Sequence, residues 1–315
     1  MDEATIIETF FRHLGAVRTD VALGIGDDAA LLRPPAGAEL ALTTDSLVAG
    51  VHFLPGSASR SIGHRALAVS LSDLAAMGAA PAWALLSLTL PEPDAGWLAG
   101  FAAGFGLLAR EHQVALVGGN LCRGPLNVTV QLAGCVPMGG ALRRSGACAG
   151  SDIWISGTLG DAAQGRTLEQ TATAQARALR ARFEFPTPRL ELGQALRGLA
   201  TACIDISDGL LADLPRLASA SGCGAVLELE TLPVSEALRI SAGERAWEFA
   251  LAGGEDYELC FAAPAARAGA IAALANRAAV PLTRCGQLTA GSGLELRRGG
   301  DVIQFSHSPF GHFGA

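Results

Sequence analysis

Two adjacent aspartates have the residue type and spacing for metal chemistry. Asp27 and Asp28 lie in the stretch GIGDDAAL, and the nearest basic residue after them is Arg33. Neighbouring carboxylates repel each other, and burying them without a partner is costly. The stretch therefore predicts that a bound cation completes this part of the molecule.

Four further aspartates fit the same chemistry. Asp45, Asp205 and Asp208 stand where a predicted strand meets a turn, and Asp73 lies in an apolar helix beside two serines. Each alone is explained by capping or turn chemistry. Together they resemble the strand-end positions at which α/β folds bind ligands. Because two threonines precede Asp45, the oxygen-rich set favours Mg²⁺, which binds through a few carboxylates plus substrate phosphates.

Other aspartates have a simpler interpretation. Asp2, Asp94 and Asp213 are expected to be helix caps or residues of ordinary helix surfaces.

Two glycine pairs and one arginine add to the predicted ligand site. VGGN (117–120) and AGGED (252–256) are predicted turns at which the backbone can approach a ligand closely, although a glycine pair also occurs in plain tight turns. Arg144 could bind a phosphate through two parallel hydrogen bonds. It could equally be a solvated linker arginine.

Composition excludes several classes of function. The net charge of −7 argues against a nucleic-acid partner, because phosphate backbones require a basic surface. The chain has no lysine, so a P-loop, a protein-kinase strand lysine and a Schiff-base lysine are all excluded. The 7 cysteines form no C-x-x-C pair, which favours reduced thiols and a cytoplasmic protein. No signal peptide and no membrane-spanning segment is predicted.

Predicted strands and helices alternate along the whole chain of 315 residues, a length that suits two domains. A loop rich in Gly, Arg and Ser, Met138–Ser151, gives the expected boundary between residues 1–138 and 139–315. The fold class is therefore predicted to be α/β or α+β, with two domains.

The chain resembles the thiamine-monophosphate kinases, a family in the superfamily of aminoimidazole-ribonucleotide synthetase and selenophosphate synthetase. The resemblance runs from Leu23 to Phe313, almost the whole chain, and the motifs that carry it are GIGDDAALL, LTTDSLVAGVHF, ALAVSLSDLAAMGAAPAW, LVGGNLCRGPL, RSGACAGSDIWISGTLGDAA, CIDISDGLLADL, LAGGEDYELCF and the closing GHF. TTDSLVAGVHF, SLSDLAAMGA and GGEDYEL together are specific to the kinases.

The resemblance implies a fold and a reaction. An N-terminal ATP- and metal-binding domain would pair with a second copy so that its strands form a barrel across a homodimer, and a C-terminal α/β domain would complete the ATP and substrate cleft. The reaction would be direct, Mg²⁺-assisted phosphoryl transfer from ATP to thiamine monophosphate, giving thiamine diphosphate. It implies several Mg²⁺ ions and no catalytic residue apart from the metal site.

The resemblance also implies roles for individual residues. The implied magnesium ligands are Asp28, Thr43, Thr44, Asp45, Asp73, Asn120, Asp205 and Asp208. The implied ATP contacts are Gly119, Asn120, Arg144, Ser207 and His112. The implied contacts to the thiamine substrate are His52, Glu255 and Phe310.

Two positions depart from the family pattern. Asn120 stands where the family usually has aspartate, which predicts weaker metal binding, and His112 stands where the family often has tyrosine near the adenine. Two alternatives follow: another enzyme of the superfamily, or a regulatory paralogue that binds ATP or thiamine phosphates without turnover. GVHF and GGEDYEL argue against the first, and Asn120 is the feature that favours the second.

Overall fold

The chain divides into two compact units. A computed structural model describes residues 1–54, 56–168 and 172–305. The first unit comprises Met1–Leu74 and Ala79–Gly139, and the second comprises Ala75–Gly78 and Gly140–Ala315. Both mix strands with helices, which confirms the predicted fold class.

Over its described residues, the first unit contains a four-stranded sheet, a two-stranded sheet and three helices. Its strands are β1 (Val21–Leu23), β2 (Leu31–Leu32), β3 (Ala38–Val48), β4 (Ala80–Leu90), β5 (Ala115–Arg123) and β6 (Asn127–Pro137). Its helices are α1 (Glu3–Ile6), continued by a π-helical turn at Ile7–Phe11, α2 (Ser59–Ala76) and α3 (Ala95–Glu111). The larger sheet has the order β3-β6-β4-β5, and of its neighbouring pairs only β4 and β5 run parallel.

Local sequence signals set the ends of the helices. The Asp2 carboxylate accepts the Thr5 N–H at 2.8 Å, and the Asp94 carboxylate accepts the Trp97 N–H at 2.6 Å. Both residues are the predicted N-caps. Each carboxylate accepts a backbone N–H of the first turn that has no partner within the helix. Glycine also lets α2 and α3 pack closely: a Cβ at Gly104 would lie 1.9 Å from the Arg60 carbonyl oxygen.

The two faces of the four-stranded sheet differ in burial. Val128, Val130 and Leu132 of β6 are buried on one face, whereas Leu40 and Leu42 of β3 are exposed on the other. Because side chains alternate along a strand, successive residues of β3 point to opposite faces. Helix α2 contacts the buried face of β3 through two hydrogen bonds, Asp73 with Thr43 and Ser70 with Asp45.

The second unit is built on a seven-stranded sheet of order β13-β12-β9-β11-β7-β10-β8. Its strands are β7 (Asp152–Ser156), β8 (Ala202–Ile206), β9 (Gly224–Glu228), β10 (Glu258–Ala263), β11 (Leu282–Thr289), β12 (Leu294–Arg298) and β13 (Asp301–Ile303). Its helices are α4 (Asp161–Thr167), α5 (Ala174–Glu184), α6 (Leu190–Leu196), α7 (Leu210–Ala220), α8 (Glu236–Ala242), α9 (Ala246–Ala252) and α10 (Ala268–Ala278).

The most buried strands of this sheet position its functional segments. Every residue of β7, β8 and β10 is buried. Strand β10 pairs with β8 in antiparallel register, with Glu258 opposite Ile206. This register brings the turn that follows β8 next to the segment that precedes β10.

One predicted turn is wrong. Gly118, Gly119 and Asn120 lie inside strand β5, whereas the sequence predicts a turn there. A Cβ at Gly119 would lie 1.9 Å from the Leu86 carbonyl oxygen of β4, so the glycine is needed for close strand packing. A partner strand far away in sequence sets this requirement.

Across the described residues, no helix has both the length and the apolar character needed to cross a membrane.

Candidate active site

In the first unit, the structure brings two of the predicted metal-binding carboxylates together. The Ser70 hydroxyl of α2 donates to Asp45 Oδ2 at 2.8 Å, and the Thr43 hydroxyl of β3 donates to Asp73 Oδ2. Burial, and next the negative charge of Asp73, raise the pKa of Asp45 to about 6. A cation bound here would relieve the repulsion between the two carboxylates, so the donor set fits Mg²⁺.

Thr44 and Asn120 belong to the opposite face of the same sheet. Asp45 pairs with the buried Val130, while the Ser46 hydroxyl bonds the Thr129 hydroxyl at 2.7 Å on the other side. On the same face as Ser46, Thr129 of β6 pairs with Ser87 of β4, and Ser87 pairs with Asn120 of β5. The register therefore groups Thr44 with Asn120 on the exposed face, apart from Thr43, Asp45 and Asp73.

The remaining predicted residues of the first unit lie on loops or helix ends. Asp28 is exposed on the loop between β1 and β2, where its N–H donates to Asp27 Oδ1 at 2.8 Å. His112 is the C-cap of α3, and its N–H donates to the Leu108 carbonyl at 3.1 Å.

His52 is held in the turn after β3 from two sides. Its Nδ1 accepts the Val48 N–H at 3.0 Å, and its carbonyl oxygen accepts a hydrogen bond from Arg65 Nη2 at 3.3 Å. An Nδ1 that accepts a hydrogen bond carries no proton, so the neutral ring has its proton on Nε2.

In the second unit, four predicted residues converge at one end of the sheet. Asp205 is buried in β8, and Ser207 and Asp208 follow directly in the turn. The Glu255 N–H donates to the Ser207 carbonyl at 2.8 Å. The predicted ATP residue Ser207 and the predicted substrate residue Glu255 are therefore joined through their backbones.

The segment that carries Glu255 has a constrained backbone. Glu255 and Tyr257 have φ values of 64° and 51°, a left-handed conformation that is uncommon for residues other than glycine. The Tyr257 hydroxyl donates to Glu255 Oε2 at 2.7 Å. Between them, the buried Asp256 accepts the Gly160 N–H with both oxygens, at 2.9 and 3.0 Å. Burial raises the pKa of Asp256 well above its usual range.

Two buried anchors flank this segment. Glu258 is fully buried and accepts hydrogen bonds from Arg182 Nη2 at 2.7 Å, from Arg189 Nε at 2.7 Å and from the Ser156 hydroxyl at 2.6 Å. Together with Asp256, Glu258 ties both sides of the left-handed Tyr257 to the body of the unit.

Asp213 is a residue whose place the sequence analysis missed. The sequence predicts a helix cap or a residue of an ordinary helix surface, but the Asp213 side chain is 1% exposed and accepts backbone N–H groups of the turn after β8. Burial raises its pKa to about 6. The only sequence signal available was its position in the first turn of α7, next to the acidic turn, which does not reveal burial.

Two further predictions concern Arg144 and Phe310. Arg144 is exposed in the segment before β7, and its carbonyl oxygen accepts the Ser221 hydroxyl at 3.0 Å. Phe310 lies outside the described residues.

No group of three His, Cys, Asp or Glu side chains is arranged as a ready-made metal cage in the part of the chain that the structure describes. Mg²⁺ commonly binds through one or two carboxylates and completes its shell with waters and substrate phosphates. The Asp45–Asp73 pair is suited to that mode of binding, which needs a phosphorylated ligand.

Comparisons with known proteins identify the family of this chain. A family model described as AIR synthase related protein, N-terminal domain, matches residues 26–136, and one described as AIR synthase related protein, C-terminal domain, matches residues 149–299. Thiamine-monophosphate kinase of Escherichia coli strain K12 is 45% identical over 318 residues, which cover 99% of this chain and 98% of the relative.

Solved structures give the same result. Thiamine-monophosphate kinase from Stenotrophomonas maltophilia K279a matches with a TM-score of 0.86 and 47% identity, covering 91% of this chain and 93% of its own. AaThiL complexed with AMPPCP and TMP matches with a TM-score of 0.79 and 32% identity over 89% of each chain. The chain therefore belongs to the thiamine-monophosphate kinase family of the AIR synthase related proteins.

Proposed function

We propose that this protein transfers the γ-phosphoryl group of ATP to thiamine monophosphate, giving thiamine diphosphate and ADP. The observation that carries the proposal is the similarity to curated thiamine-monophosphate kinases over 99% of the chain. The related AaThiL complex with AMPPCP and TMP contains an ATP analogue together with the phosphorylated acceptor.

The acceptor itself decides what the protein must do. The attacking oxygen belongs to a phosphate that is largely ionised at neutral pH, so no strong general base is required. The obstacle is the repulsion between two polyanions. Catalysis is then mostly alignment and charge stabilisation, the usual logic of phosphoryl transfer.

Magnesium ligation follows from the acidic residues described above. Thr43, Asp45 and Asp73 would hold Mg²⁺ at one face of the sheet, and Asp28, Asp205 and Asp208 are proposed as further ligands. Thr44 and Asn120 lie on the opposite face, so they would bind a separate ion. When bound, the ions neutralise phosphate charge and hold donor and acceptor in line. The fit is best supported for Asp45, because burial, and next the negative charge of Asp73, raise its pKa, and a bound cation would favour the ionised carboxylate.

The remaining residues would bind the two substrates. Gly119, Arg144, Ser207 and His112 would contact ATP. His52 and Glu255 would face thiamine monophosphate, and Phe310 is proposed to stack on its ring. The constrained backbone at Glu255 supports a functional role there, since strain of this kind concentrates at ligand sites.

A homodimer is the proposed assembly. Leu40, Leu42 and Leu85 are 48%, 74% and 39% exposed, and strand register groups them on the open face of the four-stranded sheet. A monomer rarely exposes a contiguous apolar face of this kind, and a second copy placed against it could complete a barrel.

The test is a coupled assay on purified protein with thiamine monophosphate, ATP and Mg²⁺. We expect formation of thiamine diphosphate and ADP in equal amounts, and no product when free thiamine replaces the monophosphate. Tight binding of both substrates without turnover at saturating Mg²⁺ would reject the kinase and support the regulatory alternative that Asn120 favours.

A further inference from the structure

The carboxylate of Asp213 is directed at the backbone of the turn after β8. Its Oδ2 accepts the Ser207 N–H at 3.1 Å and the Asp208 N–H at 3.0 Å. The side chain is 1% exposed, so water does not replace these bonds. One oxygen therefore satisfies two consecutive backbone donors, which fixes the orientation of the peptide groups on both sides of Ser207.

The same turn is held from its other side by the segment before β10. The Ser207 carbonyl accepts the Glu255 N–H at 2.8 Å, and the Ile206 carbonyl accepts the Tyr257 N–H at 2.9 Å. Ser207 is thus fixed through its N–H by Asp213 and through its C=O by Glu255. A change in the orientation of the Ser207 peptide would be passed directly to the backbone of Glu255.

Arg216 holds the other oxygen of this carboxylate. Its Nη1 lies 2.7 Å from Asp213 Oδ1 and 2.6 Å from Asp208 Oδ2. The guanidinium keeps Asp213 oriented so that Oδ2 faces the turn. Arg216 lies one turn after Asp213 in α7, and it also ties the Asp208 side chain to this helix.

We propose that Asp213 is a positioning residue for the phosphoryl transfer: it sets the Ser207–Asp208 turn and, through the Ser207 peptide, the placement of Glu255. This inference rests on the proposed function, because it takes Ser207 and Asp208 as the nucleotide and metal side and Glu255 as the thiamine side. Asp213 would act through the turn, because its buried carboxylate already accepts two backbone N–H groups and pairs with Arg216. It fixes the geometry between two substrate-binding segments, and misplacement of bound groups by about 1 Å can cost on the order of a hundredfold in rate.

The test compares Asp213→Ala and Asp213→Asn with Asp152→Asn as matched control. Asp152 is a buried carboxylate, 3% exposed, that pairs with Arg284 at 2.7 Å, and strand register places it at the opposite end of the same sheet. Two readouts are measured on the full chain: hydrogen exchange of the Ser207 and Asp208 amides, and kcat and KM for ATP and for thiamine monophosphate.

For Asp213→Ala we expect exchange of both amides to accelerate by about tenfold or more. We also expect kcat/KM to fall by between about tenfold and a hundredfold for both substrates. Asp213→Asn keeps one carbonyl oxygen facing the turn but turns its NH₂ group toward Arg216, so it should lie between wild type and Asp213→Ala in both readouts. Asp152→Asn should leave exchange at the turn and kcat/KM unchanged.

The proposal is overturned if folded Asp213→Ala keeps wild-type exchange at the turn, or if exchange accelerates while kcat/KM stays at the wild-type value. Should Asp213→Ala fail to fold, Asp213→Asn decides: wild-type exchange and kinetics in that variant would reject the positioning role. The exchange measurement needs no turnover. A wild-type protein without kinase activity would therefore reject the proposed function separately, whatever the exchange result.

Discussion

Removing the buried carboxylate of Glu258 should destabilise the second unit more than removing a carboxylate at its surface. The Glu258 side chain has no exposed surface, and it pairs with Arg182 and Arg189, whose side chains are 23% and 16% exposed. In Glu258→Gln, the new amide group presents N–H donors to guanidinium donors, and the two arginines lose their buried counter-charge.

The expected size of the effect follows from this burial. Breaking a buried ion pair by removing one partner costs about 3–5 kcal/mol. Because both arginines are partly exposed and can regain some hydration, we expect the lower end, about 3 kcal/mol in the free energy of unfolding. The assay is urea unfolding followed by fluorescence, with the slope of the transition compared between variants.

Glu184→Gln is the matched control for this measurement. Glu184 pairs with Arg180 at 2.8 Å on α5, the same helix that carries Arg182, but it is 26% exposed. A pair of this kind contributes about 0.3–0.5 kcal/mol. A Glu258→Gln loss no larger than that of the control would refute the view that the buried charges anchor this segment.

Three further predictions concern the first unit. Asn120→Asp should lower the Mg²⁺ concentration for half-maximal activity, on the order of tenfold, because an added negative charge strengthens a metal ligand; an unchanged magnesium titration would mean that position 120 is not a ligand. Asp20 accepts hydrogen bonds from Arg18 at 2.9 Å and Trp83 at 3.0 Å, and these bonds, that from Arg18 first, hold its pKa below 3.8. Asp20→Asn should therefore lower the free energy of unfolding by about 1 kcal/mol at pH 7. This difference from wild type should be present above pH 3.8 and should shrink as the pH falls through the lowered pKa. Thermal melts measure it, and a difference that grows on acidification would contradict the prediction. Wild-type protein should sediment as the proposed homodimer and Leu42→Glu as a monomer, since the substitution places a charge on the exposed apolar face. A monomeric wild type would reject the dimer, and a dimeric variant would place the interface elsewhere.

The sequence predicts well those features that depend on local interactions. The caps at Asp2 and Asp94 are examples, because each carboxylate bonds a backbone N–H three residues later. The strand that contains Asp45 is only partly predicted: the sequence places its end at Asp45, whereas β3 continues to Val48 because it pairs with β6 as far as Asn127.

Features that depend on distant partners could not be read from the sequence. Gly119 reads as a turn residue, but the carbonyl of Leu86 on a neighbouring strand is what excludes a side chain there. Asp213 is predicted to be a helix cap or a helix-surface residue, yet it is buried and accepts backbone N–H groups of the turn that precedes its own helix. Strand order and burial, which decide both cases, are not local properties of the sequence.

In the candidate site too, the residue types could be predicted from the sequence, but the pairing of those residues could not. Residue types predicted a set of oxygen ligands, and the structure brings Asp45 and Asp73 together in one unit and Ser207 and Glu255 in the other. The pairing of Asp45 with Asp73 depends on α2 lying against β3, a contact between segments about 30 residues apart that no spacing rule encodes.

Calorimetric binding of the ATP analogue AMPPCP, with and without Mg²⁺, tests most directly whether acidic residues bind phosphates through magnesium. Wild-type protein should bind the analogue in a magnesium-dependent manner, and Asp45→Asn and Asp205→Asn should each weaken that binding by at least about tenfold, while Asp152→Asn should not. Equal, magnesium-independent binding by all four proteins would contradict the account.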